Sequence, residues 1–335
     1  MIPTVDVLRG DIVESRHRVS VAVVDAGGAL KARAGDPDLV TFWRSAAKFF
    51  QAIPLLTDGA AEALGITDAE LGVACASHNG EPRHLALAAR LLARASCGTD
   101  DLACGPHPSL AEPVARTMAE RGEQPTRLHN NCSGKHAGML ALARHRGWPT
   151  AGYADLGHPV QTRCIAEVAR WTGVPEGAIG LGVDGCGVGC FALPLRAMAL
   201  AYARLGARRL GGVEAEAREA AADRLVRAVT AEPFLIAGTG RLCTEILAAS
   251  GGRVVAKVGA EGVYSAALVG LGLGVAVKVE DGDFLSAGPA LLAVLDQVAP
   301  GCVPVADEWR TPTVKNTRGM TVGRMEAHVP LRASE

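Results

Sequence analysis

The stretch WRSAAKFF, residues 43–50, places Ser45 and Lys48 three positions apart at the start of an apolar run. Residues i and i+3 of a helix lie on one face, so a helix over 45–57 brings the hydroxyl and the amine together. A serine hydroxyl becomes a good nucleophile when a neighbouring base takes its proton. The same spacing also suits an N-cap serine and a lysine that extends to solvent, so one match is weak evidence by itself.

Two further fragments strengthen the catalytic reading. SHN at 77–79 supplies Ser77, and KVG at 257–259 supplies Lys257 in a predicted strand. The chain therefore carries Ser-x-x-Lys, Ser-x-Asn and Lys-x-Gly in the order found in serine β-lactamases and penicillin-binding proteins. A second serine–lysine couple can pass a proton to the leaving group. Val258 stands where those enzymes usually carry a hydroxyl, which counts against recognition of their substrate carboxylate.

The order of predicted elements indicates an α+β fold. Alternation over residues 18–33, with a turn at Gly27-Gly28, predicts a β-hairpin. A capping box at Thr67 precedes LGVACA (71–76), which is predicted to be a brief extended stretch. Apolar spacing predicts helices over 45–57, 82–96, 111–121, 136–146, 159–172, 191–205, 214–230 and near 285–298. Late strands are predicted over 253–259, 262–269, 274–281 and 321–331.

These elements predict one unit spanning residues 1–335. An antiparallel sheet is expected from about 1–35 and 250–335, flanked by helices, with a helical lobe between the two parts.

A second polar cluster combines cysteine and lysine. HNNCSGKHAGML (129–140) contains Cys132 and Lys135, and GVDGCGVGC (182–190) contains Cys186. Two thiolates and a third donor could hold zinc. Alternatively, Cys132 could be a nucleophile beside Lys135, or the thiols could simply be buried near tight turns. A disulfide is less favoured in a reducing compartment. His129 and His136 are reserve ligands.

Composition limits the other classes of function. A formal charge of −1 argues against a nucleic-acid-binding protein. The longest apolar run, residues 263–277, is too short and glycine-rich for a membrane span, and the first residues lack an apolar signal core. Nine cysteines without close paired spacing suggest a reducing compartment. We therefore expect a soluble, cytoplasmic protein.

Several stretches together resemble one enzyme family, the Rhizobium etli-type L-asparaginases. They are RSAAKFFQAIPL, ASHNGEPRH, HNNCSGKHAGML, DGCGV and KVGAEGVY, and the match extends from about residue 8 to about residue 330. This family is unrelated to the bacterial asparaginases with threonine nucleophiles. The resemblance implies a fold similar to serine β-lactamases and glutaminases, a homodimer, and hydrolysis of L-asparagine to L-aspartate and ammonia.

The resemblance also implies roles for individual residues. Ser45 would be the nucleophile and Lys48 its base, and Ser77 and Lys257 would form the second couple. The zinc ligands would be Cys132, Lys135 and Cys186. The ion would orient the substrate or stiffen a loop rather than activate water, since the serine already supplies a nucleophile.

Substrate recognition would require charges of both signs. Arg44 and Asp184 are the candidates for the α-carboxylate and the α-amine, and Asn79 is a further substrate-binding candidate. Cys190 follows DGCGV where the family pattern leads us to expect a proline soon after the motif. Two alternatives remain: a glutaminase or related serine amidohydrolase, and a non-catalytic, zinc-stabilised ligand-binding domain.

Overall fold

A computed structural model describes residues 2–212 and 215–334. The chain clusters into two compact units. The first, here called the sheet unit, comprises Met1–Ala46, Leu193–Arg209 and Glu245–Glu335. The second, the helical unit, comprises Ala47–Ala192 and Leu210–Thr244. No helix in the described part of the chain is both long enough and apolar enough to cross a membrane.

The regular elements are numbered in chain order. The strands are β1 (Thr4–Arg9), β2 (Ile12–Asp25), β3 (Leu30–Ala34), β4 (Val40–Phe42), β5 (Gly180–Val183), β6 (Gly189–Pro194), β7 (Val254–Val258), β8 (Val263–Leu268), β9 (Leu273–Val279), β10 (Thr313–Lys315), β11 (Thr321–His328) and β12 (Arg332–Ala333). The helices are α1 (Lys48–Thr57), α2 (Ala60–Ala63), α3 (Asp68–Ala74), α4 (Pro82–Arg94), α5 (Glu112–Glu120), α6 (Ser133–His145), α7 (Pro159–Thr172), α8 (Leu195–Ala207), α9 (Ala215–Ala231), α10 (Phe234–Ala237), α11 (Leu242–Ala249), α12 (Ala287–Val298) and α13 (Asp307–Arg310).

The sheet unit is built on an antiparallel sheet with strand order β10-β11-β1-β2-β9-β8-β7. The long strand β2 pairs with β1 along its first half and with β9 along its second half. Its second half also pairs with β3, which pairs in turn with β12. Helices α8 and α12 pack against this sheet. The predicted α+β class with an antiparallel sheet from both ends of the chain is therefore confirmed.

The helical unit is organised around α1, in which eight consecutive residues from Lys48 to Leu55 are buried. A helix that is apolar on nearly every side must be surrounded, and α1 packs against α6, α7 and α9. The predicted capping box at Thr67 is present at the start of α3. Strands β5 and β6 form an antiparallel hairpin.

Two predicted elements are wrong. Residues 71–76 are not extended, because α3 runs to Ala74. The stretch is buried throughout, so it has no polar face to reveal the helical period. The helix predicted over 191–205 begins only at Leu195, since residues 189–194 form β6. The predicted helix start at residue 214 lies outside the described residues.

Candidate active site

Ser45 lies on a 3-10 turn, Arg44–Ala47, which leads directly into α1. Its side chain is half-buried. The residue before it, Arg44, has a φ of +54°, in the left-handed region that L side chains rarely adopt. Strained backbone of this kind persists only where the surroundings hold it. The predicted nucleophile therefore follows a backbone conformation that requires support.

Lys48 is fully buried at the start of α1, and its amine contacts oxygen atoms in the helical unit. The Nζ atom donates to Ser77 Oγ at 2.9 Å, to the Ala76 carbonyl at 2.5 Å and to the Asn131 carbonyl at 3.5 Å. Burying an amine is costly unless it is hydrogen-bonded, and these three acceptors meet that requirement. The structure thus brings Lys48 and Ser77 together.

The four predicted serine and lysine residues divide between the two units. Ser45 and Lys257 belong to the sheet unit, whereas Lys48 and Ser77 belong to the helical unit. The predicted couples were Ser45 with Lys48 and Ser77 with Lys257. The observed contact within the helical unit joins Lys48 to Ser77, so it links one member of each couple.

Lys257 lies on β7 and is fully buried. It is paired across the strands with Ser265 of β8, and its Nζ donates to the Val258 carbonyl at 3.0 Å. Its place at the end of a strand agrees with the predicted position of the Lys-x-Gly motif.

Asn79 is buried, and its side-chain amide is used within the helical unit. Its Nδ2 donates to Glu81 Oε1 at 3.2 Å and to the Thr239 carbonyl at 3.0 Å. Its Oδ1 accepts from Arg241 at 2.8 Å. These bonds fix the loop that follows Ser77. Substrate binding by Asn79 and by Arg44 stays a prediction.

Cys132, Lys135 and Cys186 lie together in the helical unit. Cys132 caps the start of α6 and Lys135 is in its first turn, while Cys186 is in the tight turn between β5 and β6. Gly187 has a φ of +95°, which glycine adopts readily and which turns the chain there. Lys135 Nζ lies 3.0 Å from Cys186 Sγ, and the side chains of Cys132 and Cys186 are hydrogen-bonded.

The charges in this cluster are coupled. The hydrogen bond from Cys132 lowers the pKa of Cys186 well below its ordinary value, although burial opposes this, and the Lys135 charge acts in the same direction. The same hydrogen bond, together with burial, raises the pKa of Cys132. Burial opposes the charge of Lys135, but the two sulfur atoms outweigh it and raise the lysine pKa. These shifts favour a thiolate at Cys186, a thiol at Cys132 and an ammonium group at Lys135, and the three titrations are coupled.

The remaining candidates surround this cluster. Asp184 is half-buried, accepts from the Gly185 N–H at 2.8 Å and contributes to the raised pKa of Lys135.

The two histidines have other partners. His129 Nδ1 accepts from the Thr126 N–H, so it caps a local turn. His136 is 2.7 Å from the Tyr153 hydroxyl, and burial lowers its pKa to about 3. These hydrogen bonds of the two histidine rings go to Thr126 and Tyr153 rather than to the sulfur atoms of the cluster.

Cys190 lies on β6, opposite Gly182 of β5, and is buried. The extra cysteine is thus part of the hairpin that carries the Cys186 turn.

Some neighbours of the site had not been predicted. Cys104 is electrostatically coupled to Cys132, and burial together with that sulfur raises its pKa to about 12. His107 accepts from the Asn131 N–H at 2.9 Å and so orients a loop whose carbonyl contacts Lys48. Neither residue is in a spaced motif with its partners, so only the fold brings them near.

The donor set implied by the resemblance suits zinc in kind. Two cysteine sulfur atoms are donors that zinc prefers, and the lowered pKa of Cys186 favours its thiolate form, whereas a lysine nitrogen is an unusual ligand. Among residues 2–212 and 215–334, no group of three histidine, cysteine or acidic side chains is arranged to hold a metal. A metal at Cys132 and Cys186 would therefore need Lys135 as a neutral third ligand.

Comparison with known structures gives matches of low sequence identity to Mglu. Two crystal structures of Mglu, one in its native form with 4.3 M NaCl, share 15% and 14% identity with this chain. Each match has a TM-score of 0.37 and covers 87% of this chain. The chain spans 63% of the first Mglu chain and 69% of the second. Among curated proteins, none matches the chain.

The family comparison is extensive. The model described as L-asparaginase II matches residues 5–327, which includes every candidate residue of both clusters. The chain belongs to the L-asparaginase II family of amidohydrolases.

Proposed function

We propose that the protein hydrolyses L-asparagine to L-aspartate and ammonia, with Ser45 as the nucleophile and Lys48 as its base. The family match over residues 5–327 is the observation that supports this most strongly. The two residues are three positions apart along a continuous helical segment, in which the Arg44–Ala47 turn precedes α1.

The surroundings of Lys48 suit a base. A neutral amine keeps two N–H donors, and two backbone carbonyls, those of Ala76 and Asn131, are present to accept them. The lone pair would then be free to accept a proton from a serine hydroxyl. Because Ser77 Oγ is 2.9 Å from Lys48 Nζ, the proton can pass from the amine to this second hydroxyl.

The reaction follows in two steps. Ser45 Oγ attacks the side-chain amide carbon, the C–N bond breaks, and a proton delivered through the serine–lysine groups lets ammonia leave. Water then cleaves the β-aspartyl ester and restores the serine. Lys257 assists proton transfer to the leaving group, while Arg44, Asn79 and Asp184 bind the ends of the substrate.

We further propose that Cys132, Lys135 and Cys186 hold a zinc ion and that the enzyme is a homodimer. When bound, the ion supplies fixed positive charge near the cluster. The proximity of these side chains supports the proposal, since Lys135 Nζ lies 3.0 Å from Cys186 Sγ.

The Ser45→Ala variant tests the nucleophile. Ammonia release from asparagine should fall by about 10³-fold or more, because the nucleophile and base act as a unit. Zinc content should not change, since Ser45 is not a proposed ligand. Full activity of this variant would refute the mechanism. Glutamine assayed in parallel tests the alternative substrate, and faster ammonia release from glutamine than from asparagine would favour a glutaminase.

Cysteine variants test the metal site. Cys132→Ala and Cys186→Ala should each lower zinc per chain, measured by elemental analysis, to near zero. Cys164→Ala is the matched control. Cys164 is also a buried thiol of the helical unit, but its thiol donates to the Gln51 carbonyl and it is not a proposed ligand. Full zinc content in both test variants would remove these ligands from the proposal.

A further inference from the structure

The turn that carries Ser45 is held on both sides by buried aromatic residues of the sheet unit. On one side, Trp43 Nε1 donates to Ser265 Oγ at 3.0 Å. On the other, the Tyr202 hydroxyl donates to the Ala46 carbonyl at 2.8 Å. The two rings pack edge to face, with centroids 6.0 Å apart. Both rings are fully buried, so the backbone before and after Ser45 is fixed against the core.

The first of these contacts reaches β8, the strand that pairs with the Lys257 strand β7. Ser265 of β8 is the cross-strand partner of Lys257 of β7, so the two side chains lie on one face of the sheet. Gly259 follows β7, and a Cβ atom there would lie 2.7 Å from the Trp43 carbonyl. The backbone at Trp43 is therefore in direct contact with the end of the Lys257 strand.

The conformation of Arg44 explains why such support is needed. The left-handed region is strained for a residue with a side chain, and Arg44 occupies it with a φ of +54°. At the start of the turn, the Ala46 N–H donates to the Trp43 carbonyl at 3.3 Å, a long hydrogen bond. Relaxation of Arg44 would rotate the next residue, Ser45.

We propose that Trp43, Ser265 and Tyr202 are positioning residues: their two hydrogen bonds hold the strained Arg44 conformation and thereby orient the Ser45 hydroxyl for attack. This rests on the proposed role of Ser45 as nucleophile. None of the three needs to touch the substrate. Their main effect should therefore fall on the chemical step, measured by kcat, and they should affect KM only indirectly, through the backbone of Arg44, whose side chain is a proposed substrate-binding group.

The test removes each hydrogen bond with a small change. Trp43→Phe and Tyr202→Phe each delete a donor, and Ser265→Ala deletes an acceptor. Each should lower kcat for asparagine about 10- to 100-fold, with KM changed less than about threefold. Ser265→Thr keeps the hydroxyl and should recover most of the lost kcat.

Two matched controls separate positioning from simple loss of stability. Trp171→Phe removes an equally buried indole N–H, which donates to Glu167 at 2.9 Å in the helical unit. Ser250→Ala removes a buried hydroxyl of the sheet unit that bonds Val254. Both controls should lower the Tm as the test variants do, while leaving kcat unchanged.

The Trp43→Phe/Ser265→Ala double variant should have a kcat no lower than that of the slower single variant, because the two substitutions remove the same hydrogen bond. Unchanged kcat in folded test variants, or losses that multiply in the double variant, would overturn the proposal. If Trp43→Phe does not fold, the kcat of Tyr202→Phe tests the proposal instead, because it removes the other hydrogen bond that holds the turn. Failure of the proposed function can be told apart from failure of this proposal, because Ser45→Ala would then still release ammonia from asparagine.

Discussion

His84 is a fully buried imidazole stacked between two other rings. Its ring lies 5.0 Å from that of His78 and 4.5 Å from that of Phe234, with interplanar angles of 11° in both cases. Its Nε2 donates to the Phe234 carbonyl at 3.2 Å, whereas its Nδ1 meets no hydrogen-bond partner in the described part of the chain. Burial lowers the pKa of His84 below its ordinary value, so folding favours the neutral ring.

His84→Phe should therefore make the protein less sensitive to acid. Below about pH 6.5 the histidine binds a proton more readily in the unfolded state than in the folded state, because the folded pKa is lower. The free energy of unfolding therefore decreases as pH falls. From pH 7.5 to 5.5 this costs the wild type up to about 1.4 kcal/mol, and the phenylalanine variant should be spared that amount. Urea unfolding at both pH values measures the difference. An equal pH-dependent loss in both proteins would contradict the assignment.

At the scale of single residues, the sequence predicted contacts between side chains better than it predicted contacts with the backbone. The contact of Lys135 with Cys186 was expected, because cysteine and lysine in two polar, glycine-rich loops indicate a common site. The acceptors of Lys48 include two backbone carbonyls. Carbonyl groups are present at every position, so no residue type marks them, and only the fold shows which ones converge.

At the scale of elements, helix α8 lies in backbone contact with strand β9. A Cβ atom at Gly274 would lie 1.9 Å from the Ala199 carbonyl and 2.4 Å from the Ala203 nitrogen. On the helix side, a Cβ at Gly206 would lie 3.0 Å from Ala267 Cβ. Small residues on both surfaces therefore set the distance between helix and sheet.

Gly274→Ala should force α8 away from the sheet. Overpacking of a well-packed core typically costs about 1–3 kcal/mol, and a clash with helix backbone, which cannot rotate away, belongs at or above the upper end. Thermal unfolding measures the loss. Gly177→Ala is the matched control, because a Cβ there meets no atom within 4 Å. Equal Tm values for the two variants would show that α8 can move away from β9 without a measurable loss of stability.

The elements themselves were predictable where one face is polar. Helix α7 was predicted over 159–172 and has those bounds, since its apolar positions recur at helical spacing. The stretch 71–76 was predicted wrongly because its residues are buried on every side. A Cβ at Gly134 of α6 would lie 2.3 Å from the Val73 carbonyl, so even the backbone of α3 is covered. Such a helix has no periodic signal.

At the scale of the whole chain, residues near its two ends form adjacent strands. Strand β1 lies between β2 and β11, and its register pairs Thr4 with His328. The sequence predicted that both ends contribute to one sheet, from the alternating stretches at each end. It did not predict the position of β1 inside the sheet, because strand order depends on pairings between distant residues. Such pairings also slow folding, since a long loop must close first.

Deleting residues 2–9 should therefore prevent the sheet unit from folding. The deletion removes β1 and the buried Val5, and it leaves β11 and the first half of β2 without their shared partner. Unpaired strand edges template aggregation, so we expect insoluble protein or loss of cooperative thermal unfolding, measured by size-exclusion chromatography and circular dichroism. Deleting residues 332–335 is the control, since within the described chain it removes the two-residue strand β12 and one further backbone hydrogen bond, from Ser334 to Lys31. A deletion of residues 2–9 that unfolds cooperatively at the wild-type Tm would mean that β11 can pair directly with β2.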